Sequence, residues 1–172
     1  AIAFSSDKNA LYNDISMKYY LLRNISNVQV DILDGQGNKV TTLSSSTNRK
    51  KTYYNAHSQQ YIYYHAPAWD GTYYDQRDGN IKTADDGSYT YRISGVPEGG
   101  DKRQVFDVPF KLDSKAPTVR HVALSAKTEN GKTQYYLTAE AKDDFSGLDA
   151  TKSVKTAINE VTNLDATFTD AG

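Results

Sequence analysis

Three histidines, two groups of carboxylates and a scatter of serines are the side chains here with the makings of a catalytic or metal site. The histidines are His57, His65 and His121. No two of them have the spacing of a metal-binding pair. Triads assemble in space, so spacing alone does not exclude a Ser-His-Asp site. No serine, however, lies in the Gly-x-Ser-x-Gly setting that exposes a nucleophile at a sharp turn. There is no glycine-rich phosphate loop opening a helix and no His-Glu-x-x-His motif. Nothing therefore marks a catalytic residue.

Asp70, Asp75, Asp78, Asp85 and Asp86 crowd one turn-rich stretch. Calcium takes about six to eight oxygens, which neighbouring carboxylates and turn carbonyls supply. Asp75, Asp78, Asp85 and Asp86 are thus the calcium candidates. The competing explanation is ordinary Asp-Gly turn chemistry, which needs no metal. Asp113 with Asp143-Asp144 is a weaker set of the same kind. No cofactor is required by any motif. Asn24-Ile25-Ser26 matches a glycosylation sequon, and no feature selects a Lys–Asn pair for an isopeptide crosslink.

The elements that hold these groups are strands. Fourteen Tyr stand against five Phe and one Trp. Tyr suits a half-buried strand, its ring packed and its hydroxyl wet. Strong helix formers such as Glu and Met are scarce. The 20 basic and 21 acidic residues nearly cancel, so no global field attracts nucleic acid or an anionic membrane. No apolar run reaches the ~20 residues of a membrane span. The absence of cysteine removes disulfides, thiolate metal sites and cysteine nucleophiles. The start at Ala1, without the charged and apolar regions of a signal peptide, reads as an excised fragment.

Ser16 to Leu22 and Ile25 to Leu33 are strand-length apolar runs; Val28, Val30 and Ile32 alternate with polar residues. The cluster Asp34 to Asn38 turns the chain into a strand at Val40 to Leu43. Ser44 to Lys51 reads as a solvated loop. Gln59 to Ala66 is a further strand that ends at Pro67. A long turn-rich loop then separates Trp69 from the strand carrying Tyr89, Tyr91 and Ile93. In Val105 to Leu112, Phe106, Val108, Phe110 and Leu112 face one way, and Pro109 points to an edge or a bulge. The expected core is Trp69, Tyr89, Tyr91, Phe106 and Phe110. About seven strands in roughly 110 residues have the rhythm of a fibronectin type III or immunoglobulin-like β-sandwich.

Residues 1–113 thus form one complete module. Residues 114–117 are a short connector, semi-rigid because Pro117 holds Ala116 extended. Residues 118–172 are an incomplete second sandwich, with strands at Thr118 to Ser125 and Gln134 to Lys142 about an Asn130-Gly131 hairpin turn. Val154, Ala157, Ile158 and Val161 fit helical spacing as well as strand spacing. Ala166 to Thr169 reads as one more strand.

The run Trp69-Asp70-Gly71 through Asp86-Gly87-Ser88-Tyr89-Thr90-Tyr91 resembles a bacterial fibronectin-like module, as does Val28 to Asp34 with its turn. The order continues through Asp113 to Pro117 and Ala141 to Gly147. As a whole it resembles the second and third fibronectin-like domains of the subtilisin-like cell-envelope proteases of Gram-positive cocci, most closely members that inactivate a complement chemoattractant. The resemblance implies a secreted, wall-anchored serine endopeptidase whose triad lies in an upstream protease domain of the same chain. It also implies a strand at Val154 to Val161. The segment itself would be structural and substrate-positioning, with a protein substrate as partner. Tyr53, Tyr54, Tyr73 and Tyr74 are the candidate aromatics for such a surface. The alternative is an adhesin module for a host surface protein or carbohydrate.

Overall fold

The computed structural model describes residues 2–8, 10, 12–148, 155–158 and 161–165, the last two stretches by backbone alone. The described residues form strands and turns, without a helix. The chain divides into two compact units, Ala1–Lys115 and Ala116–Gly172.

The first unit carries β1 (Ala3–Phe4), β2 (Lys18–Tyr19), β3 (Ile25–Leu33), β4 (Lys39–Arg49), β5 (Tyr54–Asn55), β6 (Gln60–Tyr61), β7 (Tyr64–His65), β8 (Thr72–Asp75), β9 (Asn80–Thr83), β10 (Gly87–Pro97) and β11 (Gln104–Leu112). Its main sheet has the order β1-β11-β10-β3-β4. All neighbours are antiparallel except β1, which lies parallel to the end of β11. The opposing layer is made of ribbons: β2 pairs with β7, β5 with β6 and β8 with β9, and a bridge joins Ile15 to Trp69.

Apolar residues at every second position of β3 and β10 put Val28, Val30, Ile32, Tyr89, Tyr91 and Ile93 on one buried face. Ile15, Ala66, Trp69 and Ala84 close the core from the other layer. Trp69 is fully buried, its ring 5.7 Å from Phe4, 5.3 Å from Tyr89 and 5.8 Å from Phe110. Its indole N–H donates to the Thr72 carbonyl at 2.8 Å. The buried Tyr91 hydroxyl donates to the Pro67 carbonyl, and burial pushes its pKa well above the ordinary phenol range. Each polar tip in the core is thereby satisfied.

Several local expectations are corrected. Ser44 to Arg49 is not a loop: it continues β4, because β3 runs back to Ile25 and supplies ladder partners as far as Arg49. Ser45, Ser46 and Asn48 still face water, as an edge strand allows, while Ser44, Thr47 and Arg49 are half-buried. The stretch between Trp69 and Tyr89 contains the β8–β9 hairpin, closed by the Asp78-Gly79 turn with Gly79 at φ 73°. Ser16 to Leu22 is ladder-paired only at Lys18–Tyr19; beyond it, Leu21 exchanges hydrogen bonds with Thr52, whose hydroxyl accepts the Leu21 N–H. Gln59 to Ala66 is divided between two ribbons, β6 and β7.

Phe106 is the core assignment that fails. Its side chain shares the inward face of β11 with Phe110, yet it is 64% exposed. Strand alternation gives the direction of a side chain, not whether an opposing layer covers it.

The second unit carries β12 (Thr118–Glu129), β13 (Lys132–Lys142), β14 (Lys155–Ile158) and β15 (Val161–Asp165). The β12–β13 hairpin turns at Asn130-Gly131, both at positive φ, as a type I′ connection requires. A register shift between Arg120 and Ala123 accompanies His121 at φ 50°. The ambiguous segment resolves as strand: β14 and β15 pair antiparallel, so pairing overrides the helical spacing. Val154 and the expected strand at Ala166 to Thr169 lie outside the described residues.

Candidate functional site

The histidines sit in three unrelated settings. His57 lies in the exposed β5–β6 turn, where its backbone N–H donates to Asn55 Oδ1 at 3.0 Å. The His65 ring lies edge-on to Tyr63 at 5.1 Å. His121 Nδ1 is 2.7 Å from Glu140 Oε2 on an exposed face. Among the described residues no serine hydroxyl is hydrogen-bonded to a histidine ring.

The four calcium candidates do not share one set of partners. Asp75 and Asp78 both close on the Lys82 ammonium, at 2.6 Å each. The Lys82 hydrogen bond is the main reason that the Asp75 carboxyl is held below its ordinary range, with the Arg77 N–H next. Asp85 offers its backbone carbonyl to the Tyr89 hydroxyl, and Asp86 accepts the Ser114 N–H at 3.0 Å. Asp143 accepts the N–H groups of Phe145, Ser146 and Gly147. Among the described residues no three His, Cys, Asp or Glu converge as metal ligands would.

What does converge is tyrosine. Tyr54 on β5 is directly opposite Tyr61 on β6, and cross-strand opposition brings their rings to 5.2 Å. Tyr20, just past β2, packs edge-on against Tyr61 at 6.3 Å and Tyr63 at 5.8 Å. The Lys18 ammonium lies 4.8 Å from the centre of the Tyr63 ring, a cation–π contact. Tyr20, Tyr54 and Tyr61 remain 56%, 51% and 59% exposed. The rings thus rest on each other, and these three still leave more than half of their surface to solvent. Beside them Tyr64 donates to the Lys50 carbonyl at 3.0 Å and lies under the Arg49 guanidinium.

Of the four aromatics singled out in the sequence, Tyr53, Tyr54 and Tyr74 are exposed, and Tyr73 packs against the core. Only Tyr54 takes part in the ring cluster; Tyr74 stands apart on β8. Sequence reasoning missed Tyr20, Tyr61 and Tyr63. The usable signal was Tyr19-Tyr20: adjacent strand residues point to opposite faces, so one ring of such a pair must turn outward. Tyr19 packs on the core and Tyr20 is the outward one.

Tyr20 also lines an open groove of about 580 Å³ that runs along the Lys18 to Arg23 segment and over Ile25, Val28, Ile93 and Phe106. The floor is apolar. The cations Lys18 and Arg23 line it, and no carboxylate does.

No protein-family model matches this chain. Over all 172 residues it is 99% identical to a PII-type proteinase of Lactococcus lactis subsp. cremoris and 96% identical to a PII-type proteinase of Lacticaseibacillus paracasei, and it spans 9% of each. It is 28% identical over 148 residues, 78% of the chain, to the C5a peptidase of Streptococcus pyogenes, of which that region is 12%. The likeness to the C5a peptidase is therefore the distant one. From end to end the chain is near-identical to one short region of these lactic-acid-bacterial proteinases, a region that is all strand and turn where the structure describes it.

Proposed function

We propose that this chain is a non-catalytic, substrate-positioning segment of a secreted, wall-anchored subtilisin-like serine endopeptidase. The triad would come from an upstream protease domain of the same parent chain. The observation that carries the reading is the solvent-facing cluster of Tyr20, Tyr54 and Tyr61, backed by the half-buried Tyr63. Exposed aromatic rings held by mutual packing offer large contact area at small entropic cost. Contacts made far from the scissile bond raise catalytic efficiency for a long substrate and leave a short one unaffected. Given the 99% identity to the proteinases against 28% to the C5a peptidase, the substrate proposed is protein in general and not a complement chemoattractant.

The test is made in the full-length parent. Tyr20→Ala with Tyr61→Ala should lower kcat/KM for an unfolded protein substrate. Cleavage of a short chromogenic peptide should be unchanged. Equal rates on both substrates would refute the positioning role. Retention of a host protein or a glycan by the isolated chain, lost in the same variant, would favour the adhesin reading instead.

A further inference from the structure

Strand β11 is paired along its whole length with β10, but on its other side it is paired only where β1 meets Lys111 and Leu112. Among the described residues, no strand of the unit covers that side from Gln104 to Pro109. The direction of the free groups follows from the bonds at the covered end. The N–H groups of Lys111 and Asp113 donate outward, to Ile2 and Phe4. Backbone direction alternates along a strand, and the β10–β11 register has no shift. Val105 and Asp107 therefore aim N–H and C=O outward as well. Pro109 stands at the same parity, where its missing N–H costs no ladder bond.

The inward face at this end is also uncovered. Along β11, Leu112 and Phe110 are buried, Val108 is half-buried and Phe106 is open. Phe106 forms part of the apolar groove, with Lys18 and Arg23 as its charged groups and no carboxylate. An open edge thus borders an apolar trough of positive character.

We propose that the outer edge of β11 at Val105 and Asp107 binds an extended polypeptide by strand addition, the occupant being an unfolded segment of alternating apolar and acidic residues. Main-chain bonds to the edge supply affinity without regard to sequence, and side chains at every second position supply selectivity. Apolar residues on the inward side lie against Phe106 and the groove floor. Acidic residues are drawn by Lys18 and Arg23. Tyr20 makes the groove continuous with the tyrosine cluster. This assigns a substrate class to the surface proposed above and rests on that positioning role.

The test uses the intact 172-residue chain and three synthetic decapeptides, in which Leu alternates with Glu, with Gln or with Lys. The Leu-Glu peptide should bind most tightly, and the Leu-Lys peptide least. Two partly exposed charge pairs correspond to a ratio of about threefold to tenfold between Glu and Gln. The Val105 and Asp107 amides should gain exchange protection on binding. Val105→Pro should abolish binding while leaving the fold intact, since position 105 bonds outward as Pro109 does. Lys18→Gln with Arg23→Gln should remove the Glu preference but keep the edge. Equal binding of the three peptides, or binding unaffected by Val105→Pro, would overturn the proposal. If the peptide binds at β11 but Val105→Pro in the parent leaves protein cleavage unchanged, the positioning role falls and the binding site stands. If the tyrosine variants slow protein cleavage but no peptide binds here, the reverse holds.

Discussion

Phe106 and Phe110 lie four residues apart on one face of β11, yet Phe110 is 3% exposed and Phe106 64%. The strand, the residue type and the direction are the same; only the opposing layer differs. Phe110 meets Phe4, Trp69 and Tyr89, with ring centres within 5.9 Å. Phe106 meets the open groove. Phe110→Ala should destabilise the first unit by about 3–5 kcal/mol. Phe106→Ala should cost less than about 1 kcal/mol. Urea unfolding of both variants compares them directly, and similar losses would mean that Phe106 is covered in solution.

This pair also shows how far the sequence reaches. Alternation in β3, β10 and β11 reveals which residues share a face, because a strand sends side chains to alternate sides. The Asp-Gly turns and Trp69 were legible for the same local reason. Coverage was not: it depends on where another layer stops, and that layer is built of ribbons whose strands have two or four residues, too short to leave a periodic signal. The tyrosine cluster escaped for a related reason. Tyr20 and Tyr61 are 41 positions apart and meet only through tertiary packing. The run from Ser44 to Arg49 was misjudged because polar composition describes the side chains of an edge strand and not its ladder.

Trp69 joins the two layers, and its removal leaves both a cavity and an unpaired carbonyl. Trp69→Ala should cost about 3–5 kcal/mol. Trp69→Phe fills part of the space but leaves the Thr72 carbonyl without the indole N–H, so it should still cost about 1–3 kcal/mol. Thermal unfolding followed by tyrosine fluorescence measures both. A loss below about 1 kcal/mol for the alanine variant would show that the Trp69 ring is not packed in the core.

The Asp75–Lys82 pair makes the β8–β9 hairpin sensitive to acid. The folded Asp75 carboxyl titrates below its ordinary 3.8 because Lys82 and the Arg77 N–H hydrogen-bond to its charged form. A lowered folded value means that the stabilisation is complete above the unfolded pKa and is lost as pH falls through the folded one. The hairpin should therefore hold at pH 5 and loosen below about pH 4. Carbon-detected titration of the Asp75 carboxyl should give a midpoint under 3.8, and Lys82→Ala should move it upward. A midpoint at or above the ordinary value in the unsubstituted chain would show that the ion pair does not form.

The two units should differ in local stability. Every residue of β12 is exposed, and in β13 only Ala141 is partly covered. The hairpin sets Leu124 against Leu137 and Ser125 against Tyr136, but both its faces meet water. Two strands without a buried face are marginal. In β10, by contrast, Tyr91 is fully buried and a strand lies on each side. Hydrogen exchange on the intact chain should find β10 amides opening only with the whole unit, and β12–β13 amides opening far more readily. The type I′ turn at Asn130-Gly131 fixes register locally, so the amides beside it should be the slowest of the hairpin. Equal protection of β10 and β12 would mean that a partner buries the hairpin in solution. Concentration dependence of that protection would then separate a second copy of the chain from an intramolecular cover.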